Sequence, residues 1–356
     1  MDNLDGSNEY RQSSSPAVHE DLFVFDGLIP NEVYLADPEY NSTLTDAGIT
    51  AANFTVVAKG DFHHAVTRLQ RFWTLIDQHP DAIAVTEPAD LRAAQRNATP
   101  GVVLGFQNAQ PIQMELDNIR TLHQLGTRII QLTYNSQNYI GTGCWERHDA
   151  GLTHFGRSVV DELNEYGILI DLSHCGEATT LEAAARSTDP VAFTHVGIRE
   201  LGNAAGRGKT DEELQAVAAT GGIIGITPYP PYLKQHPETN EVLDATIDDV
   251  IDHIEYAVDL VGIDHVGFGS DLDDKKYDTG TSTVAEFDSW HQRVRSENEE
   301  IFGSTPPDEY SPPEGLDRLR KLPNLTERLL ERGFSEQAVA KIMGENFYRV
   351  LEEVWE

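Results

Sequence analysis

Eight short apolar runs recur along the chain, each ending in polar or ligand-type residues, and segments of helical periodicity fill the stretches between them. They are Phe23 to Gly27, Ala52 to Val57, Val102 to Asn108, Ile129 to Tyr134, Ile168 to Ser173, Val191 to His195, Ile223 to Pro228 and His265 to Asp271. A short, nearly continuous apolar run is what a strand buried on both faces of a parallel sheet requires. Strands alternating with helices through eight repeats predict an α/β fold, a (β/α)8 TIM barrel whose rim collects the strand C-termini. A doubly wound open sheet is the competing architecture.

Residues 1 to 20, polar and Ser-rich, read as a flexible tail, and residues 21 to 356 as one barrel domain. A Pro-, Asp- and Ser-rich insertion at about 273 to 313 is expected over the barrel mouth, followed by C-terminal helices from Leu325 to Trp355. With 59 acidic against 26 basic residues and a net charge of -33, phosphate-rich partners would be repelled. That excludes nucleic acid and anionic membranes and leaves a small-molecule substrate. The spread of acidic residues, with Lys scarcer than Arg, fits a surface adapted to high salt, and it also fits a simply acidic one. Two cysteines, Cys144 and Cys175, make no disulfide framework. Together with the absence of a leader-like N-terminus or a bilayer-length apolar stretch, they predict a soluble cytoplasmic protein.

Three runs stop on residues that bind cations: ILIDLS before His174, VAFT before His195 and HVGFGS before Asp271. Two imidazoles and a carboxylate at strand ends suit a borderline divalent ion, Zn2+ or Mn2+. Asp271 has three roles open to it: ligand, general base for an attacking water, or helix cap, a duty for which Asp273 is equally placed. Gln107 and Asn108 close the third run. Their amides either face the site, Gln107 toward the metal and Asn108 toward substrate, or brace the rim loops.

The segments GFQNAQPI, LGTRIIQLTYNSQN, GLTHFGRSVVDELNEYGILIDLSHCG, PVAFTHVG, GRGKTDEEL, HVGFGSDLD and the terminal PPEGLDRL with LTERLLERGFSEQAVAKIMGENFYRVL resemble the membrane (renal) dipeptidase family, peptidase family M19, of amidohydrolase-like fold. The resemblance runs from about Asp26 to the end and implies a metal-dependent hydrolase of dipeptides, with homodimer formation possible. It assigns the two histidine ligands of the second metal to His174 and His195, the eighth-strand aspartate to Asp271 and the substrate-carboxylate arginine to Arg207. An exposed solvating arginine is the plainer reading of Arg207.

The departures from the family are specific. Where its members open with Asp-Gly-His-x-Asp, this chain reads VFDGLIPNEV, with Leu28 and Pro30 at the ligand positions. The bridging glutamate falls on Gln107, and the carbonyl-polarising histidine on Tyr134. Tyr134 is then either a phenolic donor to an oxyanion or an aromatic packed at the mouth. Without two ligands and a bridging charge, one ion rather than two is expected, unless Asp26, Asn31, Glu32, His63 or His64 restores a ligand. The resulting reading is a metallohydrolase acting on a dipeptide or similar amide. The alternatives are a mononuclear amidohydrolase of a lactone or acyl amino acid, and an inactive binding protein on the same barrel.

Overall fold

The computed structural model describes residues 15–202, 207–236, 238–279 and 310–355. Nine parallel strands, β1 (Phe25–Ile29), β2 (Ala51–Val57), β3 (Ile83–Val85), β4 (Gly101–Phe106), β5 (Thr127–Gln131), β6 (Leu169–Asp171), β7 (Val191–Val196), β8 (Ile223–Ile226) and β9 (Val266–Phe268), form one sheet. Eight of them make the wall of a (β/α)8 barrel in the order β1-β2-β4-β5-β6-β7-β8-β9. Each corresponds to one of the eight apolar runs, and nearly every strand residue is buried, as helix-covered parallel strands must be.

The ninth strand, β3, was not among the predicted runs. Ile83, Ala84 and Val85 pair with Gly101, Val102 and Val103 of β4, while β5 pairs with Leu104, Gly105 and Phe106 further up. Because β2 pairs along the whole of β4, the two short partners share its other edge. β3 is short because β5 occupies the rest of that edge.

The barrel closes differently at its seam. Among the described residues no ladder joins β9 to β1. Instead the Asp271 N–H donates to the Leu28 carbonyl at 2.9 Å, and the Ser270 N–H donates to the Asp26 carboxylate at 2.7 Å. Beneath the rim the wall is drawn in around one carbonyl. A Cβ on Gly27, Gly225 or Gly269 would meet the Thr194 oxygen at 2.4, 2.2 or 2.1 Å, so only glycine lets these backbones close on β7.

The opposite end is plugged by the C-terminal helix Asn346–Trp355. Phe347 packs on Phe25 with ring centroids 5.0 Å apart, and Val350, Leu351 and Val354 join the same apolar cluster. Each such side chain contributes about 1.5–3 kcal/mol by leaving water. The plug leaves the C-terminal rim as the open face.

The helix Ser15–Asp21 lies inside the stretch expected to be a flexible tail, and it is anchored. His19 bonds the Thr326 hydroxyl at 2.7 Å and the Ala47 carbonyl at 2.9 Å. Of the expected insertion, residues 273–279, with the helix Asp274–Thr279, and residues 310–313 are described, and the remainder lies outside the described residues. Among the described residues no helix is long and apolar enough to cross a membrane.

Candidate metal centre and catalytic site

His195 is the fifth residue of β7, and His174 lies three residues beyond β6. Neighbouring parallel strands therefore bring two imidazoles together across 21 residues of sequence. Their Nε2 atoms lie 3.0 Å apart, and both rings are buried.

The other ring nitrogens decide what those atoms are. The Thr194 hydroxyl donates its single proton to the Asp171 carboxylate at 2.7 Å, so the His195 Nδ1–H must donate to Thr194, also at 2.7 Å. Asp171 also accepts from the Ser173 N–H at 2.9 Å and the Ser173 hydroxyl at 2.6 Å, which fixes its direction. On the second ring, His174 Nδ1 bonds the Asn135 amide oxygen at 2.6 Å. His195 Nε2 then carries a lone pair aimed at His174 Nε2. Two imidazole nitrogens this close are what a pair of metal-ligating histidines presents to a zinc-like ion bound at about 2.0–2.1 Å. Burial, and then the Arg207 charge, hold His195 neutral, well below the ordinary imidazole value.

The third expected ligand stands apart from this pair. Among the described residues no three His, Cys, Asp or Glu side chains gather closely enough to hold an ion together. The described residues thus bring together the two imidazoles of the expected set and leave the Asp271 carboxylate outside it. Asp271 follows β9 in a left-handed conformation, φ 50°, unusual for a residue other than glycine. Burial pushes its carboxyl up to about 7, against the pull of Arg207 and Lys276. Helix capping falls to Asp273, which accepts from the Lys276 N–H at 3.0 Å.

Arg207 is 2% exposed, which removes the reading of a solvating arginine. Its Nη2 donates to the His195 carbonyl at 2.8 Å, and its guanidinium lies 4.8 Å from the Tyr232 ring centroid. Nε and Nη1 find no hydrogen-bond partner among the described residues. A buried guanidinium with open N–H donors has the chemistry that binds a carboxylate. The segment after it is locked by the Lys209–Glu213 ion pair at 2.8 Å and by the capping box of Thr210 and Glu213.

Tyr134 lies flat on His174, ring centroids 4.2 Å apart and 24° from parallel. Burial and the charge of Asp271 hold its phenol well above the usual range, so it keeps its proton. The two amides behave as braces. Asn108 donates to the Ala58 carbonyl at 3.1 Å and accepts from Gln110 N–H and Asn138 Nδ2, both at 3.0 Å. Gln107 donates to the Thr55 hydroxyl at 2.8 Å.

On the β1 side most of the polar side chains are already engaged. Leu28 is buried, Glu32 is held by Arg68 and Arg71, and Asn31 donates to Asp273 at 2.7 Å. His63 and His64 are exposed at the start of the helix Phe62–Gln78. Of the residues that could restore a ligand, Asp26 alone keeps a buried oxygen, Oδ2, without a partner among the described residues. The residues that sequence reasoning missed are the supporting ones: Asn135, Asp171 and Thr194. One signal for them existed, since a carboxylate inside the buried run ILIDLS is costly unless it has a duty.

The family model for membrane dipeptidase, peptidase family M19, matches residues 34–289 and 302–356. Among solved structures, an amidohydrolase from Pseudomonas aeruginosa is 36% identical, with a TM-score of 0.84 over 96% of this chain and 99% of that one. The probable dipeptidase PvdM from Pseudomonas aeruginosa is 20% identical, with a TM-score of 0.78 over 96% and 97% of the two chains. A metallo peptidase from Rhodobacter sphaeroides, liganded with a phosphinate mimic of the dipeptide L-Ala-D-Ala, is 19% identical, with a TM-score of 0.76 over 94% and 99%. The last two show a shared fold.

Proposed function

Because the chain belongs to the membrane dipeptidase family, peptidase family M19, we propose that it is a metal-dependent hydrolase of a dipeptide or similar small amide bearing a carboxylate, working with one divalent ion, zinc or manganese. The observation that carries this reading is the pair of buried imidazoles whose Nε2 atoms converge to 3.0 Å with both Nδ1 atoms committed elsewhere. When bound, the ion supplies the Lewis acidity that makes a water nucleophilic near neutral pH.

The remaining work falls to side chains of this protein. His174 and His195 hold the ion. Arg207 takes the substrate carboxylate through the N–H groups that its bond to the His195 carbonyl leaves open, which orients the scissile amide toward the histidine pair. Asp271, with its carboxyl near 7, accepts the proton of the attacking water and passes it to the leaving amine. Tyr134, still protonated, donates to the oxyanion that develops on the carbonyl.

Leu28 and Pro30 at the first-strand ligand positions favour a second reading, in which the same single-ion chemistry opens a lactone or an acyl amino acid. One experiment separates these from an inactive binding protein. The purified enzyme is assayed for metal content and for turnover of dipeptides, N-acyl amino acids and lactones, with His174→Ala as control. About one equivalent of metal, lost in the variant, with dipeptide turnover supports the proposal. Metal with turnover of another acyl class selects the second reading, and no metal with no turnover refutes both.

A further inference from the structure

We propose that Lys209 is a positioning residue: by tying the segment that carries Arg207 to the loop that follows His174, it presets the direction in which Arg207 meets a substrate carboxylate. The inference rests on the reading of Arg207 as the carboxylate receptor.

Lys209 is buried, and a buried ammonium is costly unless its protons find acceptors. Nζ donates to the Cys175 carbonyl and to the Glu213 carboxylate, both at 2.8 Å, and to the Thr180 hydroxyl at 3.3 Å. These acceptors lie on separate elements: the loop after β6, the helix Asp211–Ala219 and the helix Glu177–Arg186. One side chain thus joins the Arg207 segment to both neighbours.

The backbone beside the ammonium is pinned as well. The Lys209 N–H donates to the Gly197 carbonyl and its own carbonyl accepts from the Arg199 N–H, both at 3.0 Å, so the segment runs beside the chain just past β7. Arg199 Nε donates to the Gly208 carbonyl, also at 3.0 Å. Two residues before Lys209, Arg207 grips the His195 carbonyl. Two cations on one short segment therefore each hold a backbone carbonyl at an imidazole: that of His195 itself, and that of Cys175, which follows His174. Stability alone does not call for an ion pair here, because neutral side chains of similar shape often replace a buried pair at little cost. What the ammonium adds is a fixed course for the chain between two anchor points. A guanidinium oriented in advance loses less freedom on binding than one that must be ordered.

The test combines Lys209→Met with Glu213→Gln, which keeps both shapes and the capping box, where glutamine serves as glutamate does, and is expected to fold. NMR titration of the metal-free protein with glycylglycine and with glycylglycinamide reads recognition of the carboxylate without turnover. Wild type is expected to prefer the acid, and in the double variant that preference should shrink about tenfold. A folded double variant with the wild-type preference overturns the inference. So does one that binds acid and amide equally more weakly, since that is general loosening and not a misdirected guanidinium. Should the variant not fold, crystals of wild type with and without glycylglycine decide: the Arg207 guanidinium is expected to point the same way in both, and one that swings to meet the carboxylate overturns the inference. Arg207→Lys keeps the two failures distinct. If wild type shows no preference for the acid, or the lysine variant leaves it unchanged, the carboxylate-receptor reading itself fails and takes the inference with it.

Discussion

The two halves of the barrel mouth have opposite constructions. On the β6–β7 side, a pair of imidazoles sits on a chain of supports: Asp171 to Thr194 to His195, and Asn135 to His174. On the β9–β1 side, the positions to which the family resemblance assigns ligands hold Leu28 and Pro30, and polar neighbours are consumed in closing the seam. The difference teaches that two buried imidazoles can be braced from the β5–β7 part of the wall, where Asn135 and Thr194 lie.

The largest effect that tests this contrast comes from exchanging the halves as targets. His195→Ala is expected to abolish metal retention and lower turnover beyond the roughly 100-fold that marks the upper end of supporting-residue losses. Leu28→Ala is expected to keep the metal and instead cost about 2–5 kcal/mol in denaturant unfolding, since it opens a cavity at a buried position. Metal loss in the leucine variant would show that the halves are coupled after all.

Next in size is the support itself. Thr194→Val keeps the shape of the side chain but breaks the link between Asp171 and His195. Zinc affinity by chelator competition should fall about 10–100-fold. Arg207→Lys keeps the charge and removes the fork, so KM for a carboxylate-bearing substrate should rise about tenfold or more with kcat less affected. The effect should vanish for the same substrate with its carboxylate amidated.

The smallest effect is one of stability. Burial raises the Asp271 carboxyl to about 7, whereas the unfolded chain releases that proton near pH 4. Between about pH 4 and 7 the folded state holds more protons, so the contribution of Asp271 to stability falls as pH rises. Asp271→Asn removes that contribution. The metal-free variant should gain on metal-free wild type in thermal unfolding as pH goes from about 5 to 8, while losing activity.

The legible parts of this molecule are those written in short windows. The barrel could be read because each buried strand is a local apolar run, and the meeting of His174 with His195 because each stands at the end of such a run. β3 was not legible. Three residues, Ile83 to Val85, sharing an edge with β5 carry too little periodicity to stand out from the surrounding polar sequence. Asn135, Asp171 and Thr194 were missed because their duty is a hydrogen bond across 39, 23 and 1 residues, and spacing along the chain encodes no such link between strands. The anchored helix Ser15–Asp21 was hidden for the same reason. Its polar composition reads as a tail, and the partners that hold His19 are Ala47 and the distant Thr326.

The most direct test of the central claim is a crystal structure of the zinc-loaded protein with anomalous data collected at the zinc edge. One peak within bonding distance of both Nε2 atoms of His174 and His195, with none beside Leu28 and Gln107, is the predicted result. Two peaks, or a single peak away from the histidine pair, would contradict it.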